Sequence, residues 1–131
     1  MKSIGSNTFE NCNSLISLDI KEGLLHIETD AFYECLSLVS VTIPSSVISI
    51  GKDAFNNCTS LTSVHISDIK AWCNIDFESY ESNPLYYANN LYLNGVLVTN
   101  LVIPNGVTRI NGSAFYNCTS ITSVTIPDSV T

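Results

Sequence analysis

The five cysteines of this 131-residue chain could form disulfides or bind a metal ion. Cys12, Cys35, Cys58 and Cys118 share one position of a sequence repeat, and Cys73 lies outside it. A ladder of thiols could form disulfides or bind a metal, but metal ligands usually lie close in sequence and no C-x-x-C pair occurs. Side chains stacked in parallel also have poor disulfide geometry. We therefore predict free cysteines that fill the interior as small apolar side chains, with no metal site.

A hydrolytic relay is the second chemistry that the residue types allow. Ser63 and His65 share one face of an expected strand, and Asp19 or Asp68 could complete a Ser-His-Asp arrangement. Neither a G-x-S-x-G elbow nor an oxyanion loop accompanies these residues. Because Ser and Thr are common throughout the expected sheet, we predict that His65 is an ordinary exposed strand residue.

Clustered carboxylates occur only at Asp76, Glu78 and Glu81. Paired carboxylates can bind Ca²⁺ or cleave a glycosidic bond. No D-x-D-x-D-G loop, P-loop, G-x-G-x-x-G or H-E-x-x-H is present, so a solvated loop is the favoured interpretation. The chain is therefore predicted not to be an enzyme and to need no cofactor. A hydrolase using Asp76, Glu78 or His65 is the least favoured alternative.

The charge balance limits the classes of partner. The chain has twelve acidic and five basic residues, which gives a net charge of −7. Nucleic acids and anionic membranes attract clustered Lys and Arg, so neither is expected as a partner. No apolar run approaches the ~20 residues of a membrane-spanning helix, so no membrane insertion is expected. Residues 1–6 carry no export signal.

An internal repeat organises the chain. Phe9, Phe32 and Phe55 recur every 23 residues, and residues 43–66 share 14 identities in 24 positions with residues 103–126. Such a period is typical of stacked arrays, since one short unit cannot bury its own apolar side. All 131 residues are therefore predicted to form a single domain.

One repeat, residues 43–66, divides into three parts. An extended run at 47–50 ends at Gly51, whose freedom at positive φ suits a turn. Residues 53–58 are predicted to form a tight helical or 3₁₀ turn. Alternating residues from Leu61 to Ile66 predict a second strand. Each coil thus has two short strands and a turn.

The repeats resemble the leucine-rich repeats of the BspA-like (treponemal-type) class, whose pattern is I-P-x-x-V-x-x-I-x-x-x-A-F-x-x-C-x-x-L-x-x-V-x-I. The copy from Ile43 matches throughout, and the copy from Ile103 departs only by Ile121 for Leu. The first copies are looser, with Lys21 in place of Pro and Thr8 in place of Ala. The resemblance covers about 4–66 and 97–131. It implies a β-rich, right-handed solenoid with parallel strands, and surface-exposed bacterial or protozoan proteins that act in adhesion and binding rather than catalysis.

Residues 67–96 break the register and are predicted to form one enlarged repeat. Ile66 and Ile103 are 37 residues apart, 14 more than one period. Ser67-Asp68 predicts the start of a short helix, and Asn83-Pro84 predicts the start of another. Asn94-Gly95 between two apolar runs predicts a hairpin.

Strand alternation predicts the surface offered to a partner. If the apolar strand residues point inward, their neighbours form continuous outward columns on a parallel sheet. The residues of these columns are Ser17, Asp19, Ser40, Thr42, Ser63, His65, Asn100, Val102, Ser123 and Thr125. Because binding hot spots favour Tyr, we add Tyr86 and Tyr87 of the enlarged repeat. The alternative is that the aromatics of residues 80–92 fill the wider core of a longer coil.

The sequence therefore predicts a non-catalytic binding or adhesion module for a protein or glycan ligand. The alternative is a structural spacer or stalk in a larger surface protein. The resemblance implies an extracellular or cell-surface location. No polar capping repeat is evident, so we expect a piece of a longer array, or homo-oligomers formed through the uncapped ends.

Overall fold

The computed structural model describes residues 2–131, which wind as a β-solenoid of about five coils. In chain order the strands are β1 (Ser3–Ile4), β2 (Ser17–Asp19), β3 (His26–Ile27), β4 (Ser40–Thr42), β5 (Ser49–Ile50), β6 (Ser63–Ile66), β7 (Asp76–Phe77), β8 (Leu91–Leu93), β9 (Val96–Leu97), β10 (Asn100–Val102) and β11 (Ser123–Thr125). The helices are α1 (Ile69–Cys73), a 3₁₀ helix (Tyr80–Ser82) and α2 (Leu85–Ala88). None of the helices in the described chain is long and apolar enough to cross a membrane.

The strands form three sheets. A narrow sheet has the order β1-β3-β5-β7, a main sheet has the order β2-β4-β6-β8-β9, and β10 pairs with β11 alone. In the regular coils each residue pairs in parallel with the residue one period later, as Val41 does with Val64. The repeat in the sequence is thus the register of the sheets, which confirms the predicted solenoid.

The core lies between the sheets and the turns. Phe9, Phe32 and Phe55 stack face to face, with ring centroids 5.3 and 5.2 Å apart. Phe32 and Phe55 are fully buried, and so are Val41 and Val64 on the inner face of the main sheet. Burying a side chain of this size contributes about 1.5–3 kcal/mol, so the inward columns hold neighbouring coils together.

In each regular coil a turn joins the strand of the narrow sheet to the strand of the main sheet, as between β5 and β6. This turn contains residues with left-handed backbone conformation. The segment 53–58 is a chain of three β-turns, in which Ala54, Asn56 and Cys58 donate backbone hydrogen bonds to residues three positions earlier. The segment is thus a tight turn with bonds that span three residues, as predicted, but left-handed residues within it prevent a continuous helix. Two positions of the turn have positive φ in successive coils, and their residues are Asn7, Asn11, Asp30, Glu34, Asp53, Asn57, Ser113 and Asn117. Asn and Asp tolerate this conformation best among non-glycine residues, which explains their recurrence.

Glu34 is the poorest fit to this pattern, because glutamate tolerates the left-handed conformation at φ 56° less well than asparagine, and its Oε1 accepts only a long, 3.4 Å hydrogen bond from Asn57 Nδ2. We expect Glu34→Asn to raise the free energy of unfolding by about 0.5–1 kcal/mol. Urea denaturation followed by circular dichroism measures the change. Glu28→Asn is the matched control, because Glu28 is exposed and does not have positive φ. An equal gain in both variants would contradict the explanation.

Gly51 has a different role from the one predicted. It is not among the residues with positive φ. A Cβ atom on Gly51 would instead lie 2.5 Å from the backbone nitrogen of Thr29 and 2.7 Å from the carbonyl carbon of Glu28. The glycine is needed because two coils approach each other closely here, and the Gly51 amide donates a 2.7 Å hydrogen bond to the Ile27 carbonyl.

The enlarged repeat contains the predicted helix and hairpin. Asp68 caps α1 by accepting a 3.1 Å hydrogen bond from the Ala71 amide. Strands β8 and β9 form an antiparallel hairpin around Asn94 and Gly95. Strand β7 and the 3₁₀ helix were not predicted, because their short segments carry no clear periodicity.

Two buried side chains attach the enlarged repeat to the last coil. Trp72 Nε1 donates to the Ala114 carbonyl at 2.7 Å. Asn83 Nδ2 donates to the carbonyls of Ser113 (2.7 Å) and Ala114 (3.0 Å), while its Oδ1 accepts from the Leu85 amide at 2.9 Å. Helix α2 therefore begins directly after Asn83-Pro84, as predicted, and Asn83 also joins two coils.

Candidate binding surfaces

The outer face of the main sheet carries one continuous ladder of side chains. Register places in one row, from the first strand to the last, Asp19, Thr42, His65, Tyr92 and Leu97. We call this row the strand-face ladder. The predicted alternation is confirmed where it is clearest, since Val41 and Val64 are fully buried while their neighbours Thr42 and His65 are partly exposed.

The predicted columns are not continuous across the whole face. Asn100, Val102, Ser123 and Thr125 lie on the separate β10–β11 pair, so the prediction of one unbroken surface was wrong. The physical reason is the hairpin, which inserts β8 and β9 after β6. Tyr92 and Leu97 therefore occupy the row positions that the sequence assigned to Val102 and Thr125.

The second predicted column divides in the same way. Ser17, Ser40 and Ser63 pair in sequence on the main sheet. On the other side of the hairpin, Ser123 Oγ donates to Asn100 Oδ1 at 2.8 Å. The sequence missed Tyr92 as a member of the face. The only signal in the sequence was the predicted hairpin, because the chain reverses its direction directly after β8.

An aromatic pair lies at the centre of the strand-face ladder. The rings of His65 and Tyr92 stack with centroids 4.8 Å apart and planes inclined by 19°. Ser63 Oγ lies 3.3 Å from His65 Nε2. His65, but not Tyr92, lines a concavity of about 330 Å³, together with residues that include Lys21, Glu22, Thr42, Pro44 and Asn94. A flat ring beside hydrogen-bonding groups is an arrangement that can hold a ligand by stacking and polar contacts.

The residues of the hydrolytic alternative do not assemble into a relay. Ser63 and His65 are close, but no hydrogen bond joins His65 to a carboxylate among residues 2–131. Glu78 Oε2 accepts a 2.8 Å hydrogen bond from the Lys52 amide, so this carboxylate makes a structural contact with the protein backbone. In the described part of the chain, no three His, Cys, Asp or Glu side chains are grouped so as to hold a metal ion.

The two predicted tyrosines have different environments. Tyr87 donates from its hydroxyl to Asn56 Oδ1 at 2.8 Å and so ties α2 to the preceding turn. Burial raises the pKa of Tyr87. Tyr86 instead packs among surface rings, with its centroid 5.8 Å from those of Tyr80 and Tyr116. Tyr87 is thus a structural link, whereas Tyr86 belongs to an aromatic cluster at the surface.

The cysteines are free thiols directed into the protein, as predicted. Cys35, Cys58 and Cys73 are buried, and Cys12 and Cys118 are partly buried. The Cys58 thiol donates to the carbonyl of Phe32 at 3.1 Å, and Cys35 makes the same contact with Phe9. Each of these thiols therefore fills the interior and also contacts the preceding coil.

Burial raises the pKa of Cys58 to about 12 and that of Cys73 to about 11. At pH 8 only about one Cys58 thiol in 10⁴ is then ionised. Because the thiolate is the nucleophile, we expect Cys58 and Cys73 to react with iodoacetamide at least about 100-fold more slowly in the folded protein than after unfolding. Partly buried Cys12 should react first. Peptide mass spectrometry gives the order, and labelling of Cys58 as fast as Cys12 would contradict it.

Comparison with known proteins agrees with this geometry. The model of the BspA type leucine rich repeat region matches residues 1–89 and 86–131, with six copies. A leucine rich cell surface protein from Faecalibacterium prausnitzii is 31% identical with a TM-score of 0.54, over 99% of this chain and 32% of that one. A leucine-rich repeat protein from Bacteroides ovatus is 28% identical with a TM-score of 0.49, over 99% of this chain and 30% of that one.

No curated protein matches the chain. The chain spans about a third of the length of the two solved proteins. The family model nevertheless matches the sequence along its length, and the recurring apolar residues of the middle coils, such as Phe32, Phe55, Val41 and Val64, are buried. The chain therefore belongs to the BspA-type leucine-rich repeat family.

Proposed function

We propose that this chain is a non-catalytic binding module of a surface-exposed repeat protein, and that it recognises a protein or glycan ligand. The observation that carries the proposal is the His65–Tyr92 stack at the centre of the strand-face ladder, where His65 also lines a concavity of about 330 Å³. Aromatic side chains supply rigid contact area, and sheet faces are the usual binding surfaces of solenoids. The surface location is supported by the cell surface description of the Faecalibacterium prausnitzii protein.

The ladder provides graded chemistry along one row. Asp19 supplies a carboxylate at one end, Thr42 a hydroxyl, and Tyr92 with Leu97 an aromatic and apolar end. The imidazole of His65 connects the polar and apolar halves. A ligand lying across the strands would meet all of these groups, so affinity is expected to depend on the central pair more than on either end.

A binding screen on the purified protein tests the proposal. The panel is a glycan array together with immobilised extracellular-matrix proteins. We expect at least one ligand, and we expect His65→Ala/Tyr92→Ala to weaken its binding about tenfold or more, since removing central aromatic contacts costs more than 1 kcal/mol. The matched control is Ser123→Ala/Thr125→Ala, which changes exposed residues on the separate β10–β11 pair.

The outcomes separate the functions. Loss of binding in the His65/Tyr92 variant with an unchanged control supports recognition by the strand-face ladder. Retained binding in that variant excludes the ladder as the principal site. An absence of any ligand for the native protein would favour the structural spacer.

A further inference from the structure

A second surface of the enlarged repeat, away from the strand-face ladder, combines exposed tyrosines with a polar cleft. The rings of Tyr80 and Tyr116 stack with centroids 5.3 Å apart, and Tyr86 packs against both. Tyr80 is 46% exposed and Tyr116 is 42% exposed. Exposed aromatic side chains that are fixed against one another are preorganised for stacking on a ligand.

The cleft adjoins Tyr80 and has a volume of about 640 Å³. On one side the lining includes Asp76 and Glu78, which belong to β7 and the residue after it. On the other side it includes Arg109 and Gly112, in the first part of the last coil. The volume is within the ~300–1,000 Å³ range of small-molecule sites.

The charges in the cleft are mixed. Arg109 is exposed, and the only ion pair among residues 2–131 joins Lys21 to Asp19, so the guanidinium is available to a ligand. Asp76 is also exposed and available, whereas one oxygen of Glu78 is occupied by the Lys52 amide. The neighbouring Glu81 carboxylate raises the pKa of Tyr80. A polyanion would meet Asp76 and Glu78, and a polycation would meet Arg109.

We propose that this cleft is a binding site for a neutral saccharide, held with one pyranose face on Tyr80 and its hydroxyls between Asp76 and Arg109. Each hydroxyl both donates and accepts hydrogen bonds, so one sugar can pair with a carboxylate acceptor and a guanidinium donor together. The apolar C–H face of the ring covers the exposed tyrosine. This inference rests on the proposed function, since it names a ligand class and a second site for the same binding module.

Gly112 gives an unusually clean way to block the cleft. A Cβ atom there would meet no other atom within 4 Å, and Gly112 does not have positive φ. Because Gly112 lines the cleft, Gly112→Leu is expected to obstruct part of it without straining the backbone. Asn105→Leu is the matched control, because it adds the same side chain at an exposed position that does not line the cleft.

The test uses isothermal titration calorimetry with cellohexaose, laminarihexaose and maltohexaose, and with hexalysine and heparin as charged probes. We expect at least one neutral hexasaccharide to bind. We expect Gly112→Leu and Tyr80→Ala each to weaken it about tenfold or more, and Asn105→Leu to leave it unchanged. Raising the salt concentration to about 0.5 M should change the affinity by less than about twofold, because the ligand carries no charge.

Each other result overturns the inference. Binding kept in both Gly112→Leu and Tyr80→Ala places the saccharide elsewhere. Binding of only hexalysine or heparin replaces the ligand class with a charged one. If saccharide binding is lost only in His65→Ala/Tyr92→Ala, the cleft proposal fails while the proposed function stands. If the native protein binds none of the hexasaccharides, the cleft proposal fails, and if it also binds nothing in the wider screen, the proposed function fails as well.

Discussion

Gly51→Ala is expected to lower the free energy of unfolding by about 3 kcal/mol. The new Cβ atom would lie 2.5 Å from the Thr29 nitrogen and 2.7 Å from the Glu28 carbonyl carbon. Both are backbone atoms of the preceding coil, so no flexible side chain can move aside. The coils must separate locally, which strains the 2.7 Å hydrogen bond from the Gly51 amide to Ile27. Overpacking usually costs about 1–3 kcal/mol, and the rigidity of the neighbour places this case at the upper end.

The control for this experiment is Gly112→Ala. The same methyl group at Gly112 meets nothing within 4 Å, and neither glycine has positive φ. Replacing glycine by alanine without strain stabilises by about 0.4–1 kcal/mol through the unfolded chain, so the two variants should change stability in opposite directions. Urea denaturation measures both. Equal changes would mean that the close approach of the coils is not the reason for Gly51.

Asn83→Ala is expected to cost about 3 kcal/mol. Asn83 is fully buried, and its amide makes three hydrogen bonds, to the Ser113 and Ala114 carbonyls and from the Leu85 amide. Alanine leaves the Ser113 carbonyl and the Leu85 amide without these partners, and each unsatisfied buried group costs about 1–3 kcal/mol. The Ala114 carbonyl keeps its hydrogen bond from Trp72.

Two further variants test the cause. Asn83→Asp keeps an oxygen for the Leu85 amide but directs a buried carboxylate at two carbonyl oxygens, so it should be at least as destabilising as alanine. Asn105→Ala should be nearly neutral, because Asn105 is exposed. Equilibrium urea denaturation, followed by Trp72 fluorescence, measures all three. A loss below about 1 kcal/mol in Asn83→Ala would show that the side chain does not hold the two coils together.

The regular coils could be read from the sequence because their geometry is local and repeated. Parallel pairing joins residues one period apart, so the columns at Phe9, Phe32 and Phe55 in the sequence become a stack of rings in the structure. The cap at Asp68 and the hairpin at Asn94-Gly95 could also be read, since each is formed by a few adjacent residues.

The strand register in the enlarged repeat differs from the one that the sequence predicted. Ser49 pairs with Asp76 and His65 pairs with Tyr92, and both steps span 27 residues. The coil is thus only four residues longer than the regular period, and the other ten extra residues form the hairpin and its return to β10. A single insertion length of 14 residues does not reveal this division, so Val102 was placed where Tyr92 lies.

Part of each candidate site follows from the sequence alone, and the rest depends on the tertiary structure. The sequence by itself determined the solenoid, the inward columns and the outward positions Asp19, Thr42 and His65, because strand alternation and period fix them. Only the tertiary structure decided that Tyr92 stacks on His65, that Tyr80 and Tyr116 meet, and that Gly51 touches the neighbouring coil. These contacts join residues 22 or more positions apart across different coils, and their distances depend on how the coils stack rather than on any local pattern.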